Sequence, residues 1–265
     1  MDFGISTSCF YPVHTEDALE YLGKSGVKKC EVFLNTMSET TPCFAKKLKA
    51  IADSYGLRIV SAHPFSSFAE TFMLFSEYQR RFDDTLEYYK QHFEIAAILG
   101  ADISVIHGAL IPEKISRNEY FERFARLIEA GKESGIRVSP ENVNRHLSQN
   151  PEFLKEMRAF LGSDFHLVFD VKQAVRAGYD PIEFAEEFKK EIIHVHISDH
   201  DSEYDCLPPS KGHFDFRKLF TVLESVDYDG SCVIELYRQN FGEPDELLKS
   251  LDFVEKVLKN PESVI

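Results

Sequence analysis

The sequence predicts a (β/α)8 TIM barrel, and three observations favour this fold class. Eight short apolar segments alternate with eight amphipathic segments along the chain. Strict alternation of strand and helix predicts a parallel sheet, because each helix returns the chain to the same edge. The length of 265 residues is normal for a closed eight-stranded barrel. An open doubly wound sheet is the alternative, but no G-x-G-x-x-G motif follows the first predicted strand.

The predicted strands are short apolar runs that are bounded by turn-forming and polar residues. All eight are too short for a buried helix of ordinary length. In chain order they cover residues 2–10, 29–34, 58–65, 102–108, 137–143, 166–171, 192–198 and 231–237.

The predicted helices carry apolar residues at helical spacing, and most begin with a capping residue or proline followed by acidic residues. Several are expected to end at a glycine, namely Gly56, Gly100, Gly135, Gly162 and Gly230. In chain order they cover residues 15–26, 41–56, 75–100, 117–135, 150–162, 180–191, 215–230 and 244–260. No linker-like or low-complexity segment interrupts the series, so we expect one domain over residues 1–265.

Composition and charge exclude several classes of partner. The net charge of −14 disfavours a protein that binds nucleic acids or anionic membranes. No apolar run reaches the roughly 20 residues that span a bilayer, and no secretory signal is recognisable. The five scattered cysteines contain no C-x-x-C pair, which is typical of a reduced protein. We therefore expect a cytoplasmic protein with a small-molecule partner.

Six of the eight predicted strands end in an ionisable residue. In a parallel barrel the carboxyl ends of the strands form the functional face, so these side chains should meet at one mouth. A single such residue is usually only the solvated start of a loop, but Asp170 and Glu235 have apolar neighbours, and a buried charge there requires a partner or a metal ion. The six residues are His63, His107, Glu141, Asp170, His196 and Glu235.

Four of these residues form a plausible set of metal ligands. Glu141, Asp170, His196 and Glu235 come from consecutive predicted strands and supply oxygen and nitrogen but no sulfur. Such a set suits one hard or borderline divalent ion, and we expect Mn²⁺, Mg²⁺ or Co²⁺ in preference to Zn²⁺.

The strand-end series resembles that of the xylose isomerase-like barrel superfamily, which includes sugar-phosphate isomerases and epimerases. Residues 141–145 match an E-x-x-N-R motif, and residues 196–199 match H-x-x-D. The resemblance covers essentially the whole chain and implies that the same four residues hold one divalent ion. It also implies that Glu141 and Glu235 act as the acid/base pair. Two positions depart from the pattern, since Gln173 replaces a common histidine and the arginine expected after His196 has no match.

The resemblance implies a metal-dependent isomerase or epimerase that acts on a small sugar, sugar phosphate or polyol. Such an enzyme removes a proton next to a carbonyl, and a metal ion stabilises the enediolate that forms. An inosose-type dehydratase would use the same site. An endonuclease IV-like repair enzyme is disfavoured by the net charge and by Gln173. A sugar-binding barrel without catalysis is the remaining alternative, and family resemblance also suggests a homo-oligomer.

The two remaining strand-end histidines allow more than one interpretation. His63 and His107 could contact substrate or neighbour the metal ligands, and the corresponding histidines of endonuclease IV hold additional zinc ions. They could equally be buried histidines that are hydrogen-bonded inside the barrel. Gln173 and Asp199 are expected beside the ligands, where Asp199 would orient a neighbour.

Several basic residues could reach an anionic substrate. Arg145 and Lys211 are candidates, and Lys211 lies in a glycine-containing loop after the seventh strand, near where many barrels bind phosphate. Lys172 and Arg238 are further candidates, although such residues are more often at the surface.

Overall fold

The computed structural model describes residues 1–259 and shows the parallel eight-stranded sheet that the sequence predicts. The strand order is β5-β4-β3-β2-β1-β8-β7-β6, and a single parallel bridge between Glu141 and Val168 connects the two edge strands. The sheet is therefore a nearly closed barrel, and the (β/α)8 prediction is confirmed. The strands are β1 Asp2–Ser6, β2 Lys29–Phe33, β3 Arg58–His63, β4 Ile103–Ile106, β5 Arg137–Pro140, β6 Leu167–Asp170, β7 Ile192–Ile197 and β8 Ser231–Ile234.

Ten α-helices lie in the described part of the chain, and they include all eight predicted ones. None of these helices is both long enough and apolar enough to cross a bilayer. They are α1 Thr15–Lys24, α2 Pro42–Tyr55, α3 Glu70–Met73, α4 Gln79–Leu99, α5 Arg117–Glu133, α6 Pro151–Leu161, α7 Val171–Arg176, α8 Pro181–Phe188, α9 Phe216–Glu224 and α10 Asp245–Lys259. The predicted end of the last helix at residue 260 lies outside the described residues.

The prediction that the seventh helix ends at Gly230 is wrong. Helix α9 already ends at Glu224, and Asp227 adopts a left-handed conformation in the turn that follows. Gly230 instead precedes β8, where a Cβ atom would lie 2.5 Å from the backbone oxygen of Ile193. The glycine is therefore needed for close approach of two strands and not for a helix end.

Helix α7 was not predicted, and it determines the surroundings of the sixth strand end. Asp170 is the last residue of β6 and also caps α7, because its Oδ1 accepts a hydrogen bond from the backbone N–H of Gln173 at 3.1 Å. No loop separates the strand from the helix. Lys172 and Gln173 consequently lie in the first helical turn, directly beside the mouth of the barrel.

The core has two parts with different chemistry. The outer faces of the strands pack on the helices through aromatic contacts such as Phe169 with Phe184, whose ring centroids are 5.5 Å apart. Inside the barrel a small apolar cluster contains Ile103, Val105 and Val168. Two residues beyond Val168 on the same strand face is Asp170, so this apolar cluster gives way to ionisable side chains toward the carboxyl ends.

A buried carboxyl group connects two loops at the mouth. Glu70 in α3 is fully buried and accepts hydrogen bonds from the backbone N–H of Gly108 at 2.6 Å and from the Tyr89 hydroxyl at 2.9 Å. Burial raises the pKa of Glu70 from 4.5 to about 7. Gly108 has a φ of 85°, and a Cβ there would lie 2.3 Å from the Tyr120 hydroxyl oxygen, so this turn requires glycine.

We expect Glu70 to make stability depend on pH. Because its pKa is higher in the folded than in the unfolded chain, the folded state binds the extra proton more readily. The stabilisation is fully present below pH 4.5 and is lost as the pH rises through 7. Urea unfolding from about pH 5 to about pH 8 should show that the wild type loses roughly 2.5 kcal/mol relative to Glu70→Gln. A difference that stays constant over this range would contradict the assignment.

Candidate metal centre

The four predicted ligands converge on one point at the carboxyl ends of neighbouring strands. Nδ1 of His196 lies 3.4 Å from Oε1 of Glu141, 3.5 Å from Oδ2 of Asp170 and 3.5 Å from Oε2 of Glu235. One donor atom from each residue lies within 4.8 Å of every other. His196, Glu141 and Asp170 are buried, while the side chain of Glu235 is 13% exposed.

The donor chemistry fits a divalent cation. Three carboxylates and one imidazole are typical ligands of Mn²⁺, Mg²⁺ or Zn²⁺ ions, and opposite ligands of an ion bound at about 2.1 Å are about 4.2 Å apart. The spacing of these four side chains is compatible with that requirement. The buried cluster could therefore hold a metal ion.

Glu31 determines which nitrogen of His196 faces the three carboxylates. Oε2 of Glu31 lies 3.0 Å from Nε2 of His196 and also accepts a hydrogen bond from the Ser61 hydroxyl at 2.8 Å. The Ser6 hydroxyl donates to the other oxygen of Glu31 at 3.0 Å. A proton on Nε2 satisfies Glu31 and leaves the lone pair of Nδ1 for a ligand, as in the carboxylate–histidine pairs of metal sites.

The electrostatics of the cluster attract positive charge. Burial alone would lower the pKa of His196, but Glu31 and Glu235 outweigh it and hold this pKa well above its usual value. Burial would likewise raise the pKa of Glu31, but His196 and His63 outweigh it and lower that pKa well below 4.5. The position next to Nδ1 of His196 therefore favours a cation, which can be a proton or a metal ion.

His63 and His107 lie on the other side of Glu141 and Glu31. Nε2 of His107 is 3.2 Å from Oε2 of Glu141, and Nε2 of His63 is 3.8 Å from Oε1 of Glu31. Neither ring nitrogen of His63 has a hydrogen-bond partner within residues 1–259, although the side chain is buried. His63, His107 and Glu141 also form a group that could hold an ion. Such unsatisfied buried nitrogens favour a role in ligand or metal contact over a purely structural one.

Lys172, a candidate contact for an anionic substrate, is instead buried beside the proposed metal ligands. Its side chain is 3% exposed, and its ammonium group forms ion pairs with Asp170 and Glu235. The sequence alone suggested a surface lysine, because the start of α7 directly after β6 was not recognised. A lysine two residues after a strand-end aspartate, with no turn residues between, was the signal available. Gln173 also lies at the site, where its Oε1 accepts a hydrogen bond from the backbone N–H of Asn144 at 3.1 Å.

Asp199 organises a loop instead of orienting a ligand. It is buried, and its carboxylate accepts hydrogen bonds from four backbone N–H groups at 2.9 to 3.0 Å. These groups belong to His200, Ser210, Gly212 and Phe214, which lie in the loop between β7 and α9. These N–H groups of the loop that contains Lys211 therefore already bind a carboxylate of the chain.

A cavity of about 390 Å³ lies beside the cluster, and Glu141 and Glu235 contribute to its wall. Arg145 and Lys211 are exposed and do not line it, so their predicted contact with an anionic substrate has no support from their position. The aromatic side chains in its wall are Tyr11, Phe33 and Tyr237. The remaining lining residues are Ser8, Asn35, His107, Glu141, Lys172, Gln173, Glu235, Leu236, Arg238 and Gln239.

A second cavity, of about 440 Å³, lies at the opposite end of the barrel. Its walls include Lys29, Arg58 and Arg137, which are the first residues of β2, β3 and β5. None of the four clustered residues contributes to it. The amino-terminal end of a parallel barrel contributes to stability in known enzymes of this architecture, so we place the chemistry at the other cavity.

Residues 17–257 match the family model described as xylose isomerase-like TIM barrel. The chain is 28% identical over 249 residues to an uncharacterized protein of Methanocaldococcus jannaschii, covering 89% of this chain and 83% of that protein. It is 25% identical over 259 residues to an inosose dehydratase of Glaesserella parasuis, covering 83% of this chain and 81% of that protein. A solved structure of a D-tagatose 3-epimerase-like protein superimposes with a TM-score of 0.82, at 25% identity, over 98% of this chain and 97% of that one.

We expect the substitution Glu31→Gln to weaken metal binding without touching any of the four clustered ligands. The amide that replaces the carboxylate is neutral and attracts the Nε2 proton of His196 less strongly. Nδ1 of His196 therefore becomes less basic. Loss of such a partner typically weakens metal affinity about 10- to 100-fold. Calorimetric titration of the metal-free proteins with MnCl2 measures this change. Equal affinity in the wild type and the variant would show that Glu31 does not orient His196 for a metal ion.

Proposed function

The chain belongs to the xylose isomerase-like TIM barrel family, and from this we propose that it is a divalent-metal-dependent isomerase or epimerase. Its substrate would be a small sugar, sugar phosphate or polyol. The observation that carries the proposal is the convergence of Glu141, Asp170, His196 and Glu235 next to the 390 Å³ cavity. Similarity to the D-tagatose 3-epimerase-like structure supports the same reaction class.

The four clustered residues are the proposed metal ligands. A divalent ion bound there would act as a Lewis acid toward neighbouring substrate oxygens. The cavity has room for one small carbohydrate, and the aromatic rings in its wall offer apolar faces for a sugar ring to pack against.

Glu141 and Glu235 are the proposed proton carriers. Burial would raise the pKa of each, but hydrogen bonds from His107 and His196 keep the pKa of Glu141 well below 4.5. Lys172 and His196 lower the pKa of Glu235 in the same way. Each carboxylate is therefore in the form that can accept a proton from a carbon atom next to a carbonyl.

The position of the two carboxylates suits a reaction on both faces of a substrate. Glu141 follows β5 and Glu235 follows β8, and both line the cavity. We propose that one of them removes a proton and that the other, after protonation from solvent, returns one. His107 keeps Glu141 in place through its contact with Oε2.

A dehydratase is the second candidate. The inosose dehydratase of Glaesserella parasuis is similar to this chain over most of its length. Abstraction of the same proton followed by loss of a neighbouring hydroxyl group would give a product that is lighter by one water. Mass spectrometry of the product therefore separates a dehydratase from an isomerase or epimerase.

We expect Glu141→Gln and Glu235→Gln each to reduce turnover by about 10²- to 10⁴-fold, because neither amide can exchange a proton with carbon. Exchange of substrate C–H protons in deuterated water, measured by NMR across a panel of ketoses and polyols, tests this expectation. The metal content of each variant must be measured alongside, since both residues are also proposed ligands. Near-normal exchange in both variants would exclude the two-base scheme.

We expect one divalent ion per chain. Elemental analysis of the purified protein counts the bound ions, and thermal unfolding before and after chelation shows whether they stabilise the fold. Two or three ions per chain would instead favour the nuclease alternative, since His63, His107 and Glu141 could hold a further ion. The net charge of −14 argues against that alternative, because a nuclease must bind a polyanion.

A further inference from the structure

Lys172 is placed among the carboxylates that the proposed metal ion would need. Its ammonium group is paired with Oδ2 of Asp170 and with Oε2 of Glu235. The side chain is 3% exposed, and its charge is balanced inside the protein. This buried lysine is paired with two proposed ligands, and its effect on metal binding does not follow from the proposed proton transfer.

The ammonium group of Lys172 contacts the carboxylate oxygens of Asp170 and Glu235 that point toward the centre of the cluster, which we call the inward oxygens. Oδ2 of Asp170 and Oε2 of Glu235 are each 3.5 Å from Nδ1 of His196. The other oxygen of each carboxylate has its own partner. Oδ1 of Asp170 accepts from the backbone N–H of Gln173, and Oε1 of Glu235 accepts from the Ser8 hydroxyl at 3.4 Å. Lys172 therefore occupies the two inward oxygens that a metal ion would also require.

The position of Lys172 is fixed by the backbone and not by a flexible loop. Asp170 ends β6, and the first turn of α7 begins with the next residue. The carboxamide of Asn142 holds the backbone of Asp170 through hydrogen bonds of 2.7 and 3.0 Å. On its outer side the ammonium group lies 5.8 Å from the ring centroid of Tyr237. Secondary structure therefore holds the backbone of Lys172 beside the site.

We propose that Lys172 is an internal cation that holds Asp170 and Glu235 together in the metal-free protein and competes with the divalent ion for their inward oxygens. It thereby sets the metal affinity of the site and is a positioning residue. This inference rests on the proposed function, because it takes the four clustered residues as metal ligands. Its physical basis is that a buried carboxylate pair needs a counter-charge, whereas two cations at the same oxygens repel each other.

The test compares Lys172→Met and Lys172→Gln with the wild type. All three proteins are freed of metal with a chelator and then titrated with MnCl2 by calorimetry, and their thermal unfolding is followed without metal and at saturating Mn²⁺. We expect both variants to bind Mn²⁺ at least about 10-fold more tightly than the wild type, because the ammonium charge no longer repels the ion. We also expect them to unfold at a lower temperature when metal-free and to recover when saturated, because the ion replaces the missing charge.

The control variant is Lys189→Met, which removes a lysine that pairs with Glu186 far from the site. We expect its Mn²⁺ affinity to equal that of the wild type. A lysine that only supported the fold would lower the unfolding temperature with and without metal and would leave the affinity unchanged. Unchanged or weaker Mn²⁺ binding in both Lys172 variants would overturn the inference while leaving the proposed function intact.

Two further outcomes separate the inference from the proposed function. If the variants bind Mn²⁺ and the wild type does not, Lys172 excludes the ion completely, which supports the inference and overturns the metal dependence of the proposed function. If neither the wild type nor the variants bind Mn²⁺, Mg²⁺, Co²⁺ or Zn²⁺, both the inference and the proposed metal site are wrong.

Discussion

The buried carboxylates at the carboxyl ends of the strands repel one another. The structure of this end of the barrel depends on groups that offset that repulsion. Glu31, Glu141, Asp170 and Glu235 all lie close to the imidazole of His196. Removal from water makes each negative charge costly, and burial raises the pKa of Asp170 to about 6 even though Lys172 opposes this. These buried charges are compatible with a stable fold because cationic and hydroxyl groups surround them.

These compensating groups come from several parts of the fold. His107 contacts Glu141 from the end of β4, Ser6 and Ser61 donate to Glu31 from β1 and β3, and Lys172 reaches across from α7. Because every partner belongs to a different element, the site requires the closed barrel. A barrel with one strand displaced would leave at least one buried charge without its partner, at a cost of several kcal/mol.

The sequence was sufficient for the architecture and for the residues at strand ends, and it was insufficient where a contact depends on depth or on loop geometry. Strand periodicity placed Glu141, Asp170, His196 and Glu235 at one mouth because parallel strands share a direction. Lys172 was misjudged because the lack of turn residues after Asp170, which is the sequence sign that α7 follows β6 directly, was not recognised. The role of Glu31 was not predicted, because alternation gives the face of a strand but not the partner that the side chain meets across a barrel.

The loop between β7 and α9 contains both an anion, the carboxylate of Asp199, and the backbone N–H groups that bind it. Four backbone N–H groups that converge on one point would be a suitable receptor for the phosphate of a substrate. Because Asp199 is tethered next to them, any dissolved anion has to compete with a ligand of the same chain. These N–H groups are therefore not free to bind phosphate from the surroundings, and the loop that carries them does not line the 390 Å³ cavity.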